Sequence, residues 1–422
     1  MSQGGTLAAF RHRPFRLLIF GRCFVAFGNA MTPITLAFAA LDLTGSLRDL
    51  GIVVGARSVV GLLFVLVGGV IADRLPRHKV LVWTMAAVAA TQLAMAAIVL
   101  TQHASVLWLA SLSVVNGILA SVSLPAVGAL TPQTIPEGQR QQGNALLRMS
   151  VNLAMTIGAP TAGVLTAVVG PGWAMAATAL LFVAAPLCFA RVDVPLPAQT
   201  GDRSSPLADL RAGWSGFLSY QWLWVTSACY VFFWAALAGA ERVLGPAVAD
   251  DTVGRAGWGV VLAFETIGMI LGAYAALRLR TRRLMAVGAF ALLPAVALPL
   301  ALAWQPSIVP LLITAVITGA VTELFMVAWS TSMQEHVPDA MLARIYAISS
   351  LASMIALPLG QLTAGPVADS IGIQHTLVWM GVIMLVSAGL MSLNPSVRRL
   401  PHGPPPPSGG TPPTDEPALV SA

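Results

Sequence analysis

Stretches of about twenty apolar residues, long enough to cross a hydrocarbon core ~30 Å thick, recur from Pro14 almost to the end of the chain. Inside a bilayer no water meets exposed backbone groups, so only helices and closed barrels can span it. Uninterrupted runs of this length read as helices. Charged residues occupy 9% of the 422 positions, against roughly 25% in a soluble domain, and mean hydropathy is +0.80. An all-α integral membrane protein is expected.

Twelve spans are expected at 15–41, 50–72, 79–100, 106–130, 144–169, 173–190, 221–248, 256–278, 284–304, 308–331, 344–368 and 375–394. The N-terminus, every second gap and the tail hold eighteen of the 23 Lys and Arg residues. The alternate gaps hold only Arg48 and Arg255, with Arg242 near a span end. Cations collect on the cytoplasmic side, so both termini are expected there, and the net charge of +6 reflects topology rather than a nucleic-acid partner. Trp108, Trp173, Trp258 and Trp304 fall at the expected outer ends, where an aromatic belt belongs. Arg11, Arg13 and Arg16 precede an apolar segment too long for a cleavable signal peptide. The cysteines Cys23, Cys188 and Cys229 lie inside apolar stretches without metal-ligand spacing.

The chain repeats itself. Gly68, Ala72, Arg74 and Leu75 align with Gly272, Ala276, Arg278 and Leu279, and Gly158, Gly163 and Gly170 with Gly360, Gly365 and Gly372. Two six-helix halves are expected, at 1–190 and 221–394. They are joined by a cytoplasmic linker at 191–220, with a short amphipathic helix near Leu207–Gly216, and followed by a disordered Pro-rich tail at 395–422. Six plus six helices related by a parallel repeat is the plan of an alternating-access transporter.

Between spans 2 and 3 the chain reads Gly68-Gly69-Val70-Ile71-Ala72-Asp73-Arg74-Leu75-Pro76-Arg77-His78-Lys79. This resembles the G-x-x-x-D-R-x-x-R-[RK] signature of the major facilitator superfamily at the same loop. The resemblance implies a conformational latch built from Gly69, Asp73, Arg74, Arg77 and Lys79, the aspartate facing a helix N-terminus of the other half, where an anion is favoured by about 0.3–1 kcal/mol. The second half has Leu277 at the aspartate position, so only the first loop is a full latch. Leu43-Thr44-Gly45-Ser46, Gly55-Ala56-Arg57-Ser58 and Ile135-Pro136-Glu137 with Arg140, Gly143 and Asn144 are similar to the branch that holds macrolide efflux pumps and the enterobactin exporter. Against the family pattern, Asn29 stands where relatives often carry an acid in span 1, and the span-4 arginine is absent near Ser113. The span-5 antiporter motif is reduced to Gly158, Pro160 and Gly163, a set suited to a bendable helix or to ordinary close packing.

Arg22, Arg57, Glu241, Arg242, Glu265 and Glu323 fall inside expected spans. A charge at mid-bilayer costs about 2.5–3.5 kcal/mol on insertion scales, so each needs a cavity or a partner. Spans 3, 6, 9 and 12 carry none, and the resemblance makes these four the peripheral helices. Glu265 and Glu323, each alone in an apolar run, are read either as proton carriers or as partners of Arg22 or Arg57. Glu241, with Arg242, is read as a third proton candidate or an outer gate or rim pair. Arg22, Asn29, Arg57, Asn116, Asn152, Trp234, Gln361 and Phe233 are the further cavity candidates. Secondary active transport, the proton-coupled export of amphiphilic small molecules, is what the resemblance implies, with an importer or uniporter as the alternative. A monomer of the bacterial cytoplasmic membrane, without cofactor or metal, is expected, its partners being lipid, protons and a small-molecule substrate. Six scattered histidines and the absence of a nucleotide-binding loop argue against a membrane transferase and against ATP drive.

Overall fold

The computed structural model describes residues 10–401 except 11, 75–76, 131–133, 135–139, 193–213, 280 and 305. At 62, 65–74, 77–78, 124–129, 140–142, 144–145, 339–340, 342–344, 347 and 350–353 it describes the backbone only. All secondary structure among the described residues is helical.

The first part holds α1 (Arg13–Thr44), α2 (Leu47–Arg74), α3 (Arg77–Leu100), α4 (Val106–Leu130) and α5 (Arg140–Phe189). The second holds α6 (Gln221–Gly239), α7 (Gly245–Asp251), α8 (Gly254–Arg278), α9 (Leu284–Ala291), α10 (Ala297–Trp304), α11 (Ile308–His336), α12 (Asp339–Ile371), α13 (Ile373–Leu393) and the short α14 (Pro395–Arg398). Nine described helical segments are long and apolar enough to cross a membrane.

Local chemistry accounts for the breaks. Gly45, at φ 64°, ends α1, its N–H donating to the Leu41 carbonyl at 2.8 Å. The expected gap between spans 5 and 6 is not a loop. The helical run of α5 continues through Gly170, where φ 82° and ψ 164° turn the chain without leaving it. That region of backbone space belongs essentially to glycine. Gly372, at φ 86° and ψ 152°, does the same between α12 and α13. The expected span 7 is divided by a π-helical turn at Ala240–Leu244. The expected span 9 is divided by a 3₁₀ turn at Leu293–Val296, where Pro294 has no N–H to continue an α-helix.

Packing follows the repeat. In the first part α1 lies on α5 and α2 on α4; in the second, α6 lies on α12 and α8 on α11. Two pairs, α2 with α12 and α5 with α8, join the parts. Small residues permit the approach. A Cβ on Gly158 would lie 2.9 Å from the Phe27 carbonyl oxygen, and one on Gly360 would lie 1.9 Å from that of Ala235. Across the joint, Gly163 meets the Cα of Gly259, and Gly365 meets the Leu47 carbonyl oxygen, each within 2.5 Å of an added Cβ.

Three of the four belt tryptophans, Trp108, Trp173 and Trp304, are exposed on the helix surface. Trp258 corrects the fourth expectation. It is fully buried, its ring filling the space over Gly245. The linker 193–213 and residues 402–422 lie outside the described residues; 214–219 are helical.

Candidate functional site

A cavity of about 480 Å³ lies between the two parts, walled by α1, α2, α4 and α5 on one side and by the π turn, α8 and α12 on the other. The first wall is built around Arg57 on α2. Its guanidinium donates to Asn29 Oδ1 on α1 at 2.6 Å, and the residue is half-buried on the cavity wall. Pro33, one turn beyond Asn29, also lines the cavity and leaves the Asn29 carbonyl without its helical donor. A second cavity of about 330 Å³ shares Asn29 and Arg57 and adds Arg22, Met85 and Phe182.

The facing wall carries acids. The π turn between α6 and α7 presents Glu241 and Arg242 to the cavity, and α8 presents Glu265. A π turn holds an extra residue within the helix and is frequent at functional sites. The two carboxyl groups and Arg242 line the same wall and influence one another electrostatically, and Glu241 Oε1 is buried without a hydrogen-bond partner. Two carboxylates side by side and out of water repel, and a single shared proton relieves this.

Polar contacts between described residues cross between the parts. Ser58 donates to Gln361 Oε1 at 2.8 Å, and Thr266 donates to the Thr156 carbonyl at 3.2 Å. At the end of the bundle where α1 stops, Arg255 of α8 grips Asp42 of α1 through both amino groups, Nη1 to Oδ2 measuring 2.9 Å. Its Nε reaches Asp250 Oδ1 at 2.7 Å, and its guanidinium lies over the Phe38 ring, 5.1 Å from the centroid. With Gly51 against the Gln361 carbonyl and Gly365 against Leu47, this end is closed.

Several expected residues move. Glu265 is not alone but beside Glu241, and Glu241 is a cavity group rather than a rim charge. Neither pairs with Arg22 or Arg57. Glu323 is half-buried on α11, away from the cavity wall, and makes no ion pair among the described residues. Asn116 ties α4 to α3, donating to Thr91 Oγ1 at 2.9 Å and to the Val88 carbonyl. Asn152 is exposed on α5. Trp234 packs with Tyr230 and Phe233, in an aromatic group that continues through Phe325 to Trp329. Gln361 does line the cavity. Gly158 and Gly163 serve close packing against α1 and α8, with Pro160 beside the α8 contact. Of the latch, Lys79 is exposed on α3, while Leu75, Pro76 and the side chains of Asp73, Arg74 and Arg77 lie outside the described residues. Sequence reasoning missed the shared role of Arg255 and the crossing bonds of Ser58 and Thr266. A lone arginine in a gap otherwise poor in cations was the available signal. Among the described residues no group of three or more His, Cys, Asp or Glu is placed to hold a metal.

Comparison with known proteins gives one consistent answer. Residues 18–247 match the Major Facilitator Superfamily profile. The chain is 26% identical over 402 aligned residues, 89% of its length and 92% of the relative's, to the enterobactin exporter EntS of Shigella boydii. The same identity and coverage are found with EntS of Escherichia coli. In fold it is similar to a bacterial homologue of the iron transporter ferroportin in an inward-facing state, with TM-score 0.72, 16% identity, and 90% and 98% of the two chains covered. It is also similar to the nucleoside transporter NupG, with TM-score 0.63, 14% identity, and 90% and 97% covered. The helical plan, the repeated packing and the match over more than half its length agree: this chain is a multi-pass protein of the cell membrane and belongs to the major facilitator superfamily of transporters.

Proposed function

We propose that the protein is a secondary active transporter that exports amphiphilic small molecules in exchange for protons, and not an enzyme. The observation that carries this reading is the carboxyl pair Glu241–Glu265 on the wall of a cavity between the two packed parts. A cavity there is reached from one side or the other as the parts rock, and an acid pair on its wall loads and unloads a proton with each change of side. Export is supported by the 26% identity to the enterobactin exporter across nearly the whole chain.

The reading keeps twelve spans, α5 supplying two across Gly170, with both termini in the cytoplasm. The end held by Arg255, Asp42 and Asp250 is then the outer face, and the structure corresponds to an inward-facing state. Drug and metabolite accumulation should be measured in cells with and without the gene, with and without a protonophore. Lower accumulation with the gene, abolished by the protonophore, is expected. Higher accumulation would favour import, and indifference to the protonophore would remove the proton.

A further inference from the structure

Arg57 and Glu265 stand in matching settings on opposite walls of the central cavity. A Cβ on Gly117 would lie 2.4 Å from the Arg57 carbonyl oxygen, and one on Gly319 would lie 1.9 Å from that of Glu265. In each half, then, a glycine lets a neighbouring helix press directly on the backbone of the charged residue. The next residue along, Ser58 or Thr266, hydrogen-bonds to the opposite half. The two positions are held alike and differ in sign.

Neither charge is balanced locally. Arg57 makes one side-chain hydrogen bond, to the neutral amide of Asn29, and no ion pair with a described residue. Its full positive charge faces the cavity. On the other wall two carboxyls stand against one guanidinium, Arg242, which leaves one negative charge when both are ionised. These four side chains are the titratable groups that line this cavity. A buried charge without a partner is expensive, and a ligand that brings the missing charge removes the expense. The rest of the lining is largely apolar, with Ile34, Leu36, Val54, Leu262 and Met269 set among the polar groups of Ser58, Thr266 and Gln361, and a volume of about 480 Å³ suits a drug-sized molecule.

We propose that the cavity binds a zwitterionic amphiphile, its acidic group on Arg57, its cationic group on the Glu241–Glu265 pair and its apolar body between them. This deepens the transport reading above and rests on it. It also supplies the coupling. A proton on the carboxyl pair removes the charge that holds the ligand's cation, so proton and ligand compete for one site. The adjoining cavity, lined by both Arg22 and Arg57, extends the path for the acidic group.

The test uses the purified full-length protein in lipid nanodiscs and three fluorescent probes on one skeleton. These are 6-(aminomethyl)-2-naphthoic acid, its methyl ester (a cation) and its N-acetyl derivative (an anion). At pH 8 the zwitterion should bind at least tenfold more tightly than either single-charge form, and acidification should release it. Asn29→Asp, which gives Arg57 a counterion inside the protein, should weaken the zwitterion and the anion about tenfold and leave the ester unchanged. Glu265→Gln should weaken the zwitterion and the ester and leave the anion unchanged. If Asn29→Asp does not fold, Arg57→Gln reads the same selectivity. Affinities within threefold across the three probes, no binding of any, or zwitterion binding indifferent to both first-wall variants would each overturn the proposal. A protein that exports from cells yet ignores probe charge fails here alone. One that selects the zwitterion yet exports nothing fails only the transport reading.

Discussion

Asn29 and Asn116 are both amides within apolar helices, and only their neighbours tell them apart. Asn29 accepts from Arg57 at the cavity wall, whereas Asn116 is fully buried and ties α4 to α3 through Thr91 and Val88. An interhelical hydrogen bond of the second kind contributes on average about 0.6 kcal/mol. Asn116→Ala should therefore lower thermal stability by roughly that amount and leave the pH profile of transport unchanged. An altered profile would put Asn116 back at the site. The sequence showed which residues carry charge into the membrane, because an ion in an apolar run stands out. It did not show their partners. Glu241 reaches the cavity that Glu265 also lines from within a π turn, and nothing in local composition marks that turn. Trp258 carries the same lesson, since a position near a helix end does not say whether the ring faces lipid or the Gly245 pocket.

At the level of helices, glycine has two distinct uses here. Gly170 sits at φ 82° with nothing within 4 Å of an added Cβ, so alanine there strains the backbone alone, by about 1–3 kcal/mol. Gly319 has α8 pressed against it, a Cβ falling 1.9 Å from the Glu265 carbonyl oxygen. Alanine there must push α8 away from α11 and carry Glu265 with it, and overpacking of this kind costs about 1–3 kcal/mol or more. Both variants should lose thermal stability, but only Gly319→Ala should also change the pH dependence of transport. An unchanged profile in a folded Gly319→Ala protein would show that α8 is not held at this point. That the chain is a succession of apolar helices was legible from the apolar runs, and Gly170 and Gly372 were legible as a repeated pair. Their role was not, because a glycine that breaks a helix and one that packs it look alike in sequence.

Across the whole molecule, the closed end depends on Arg255 joining Asp42 to Asp250 and on glycine contacts between α2 and α12. A partly exposed ion pair contributes about 0–1 kcal/mol, enough to shift a balanced equilibrium between inward-facing and outward-facing states without unfolding either. Arg255→Gln should broaden and lengthen the distance distribution between spin labels at Thr44 and Asp251, while an unchanged distribution would leave closure to the glycines. The orientation is checked separately. A cysteine at Ser307 should react with an impermeant thiol reagent from outside, and one at Thr281 only after the membrane is opened; the reverse pattern would place Arg255 on the cytoplasmic face. The central claim, that the carboxyl pair couples transport to protons, is tested most directly with Glu265→Gln in reconstituted vesicles. Glutamine has the shape and neutrality of the protonated acid, so exchange of substrate down its own gradient should persist while uphill transport driven by a pH gradient falls to the passive level. Uphill transport at the unmodified protein's rate and pH dependence would contradict the account.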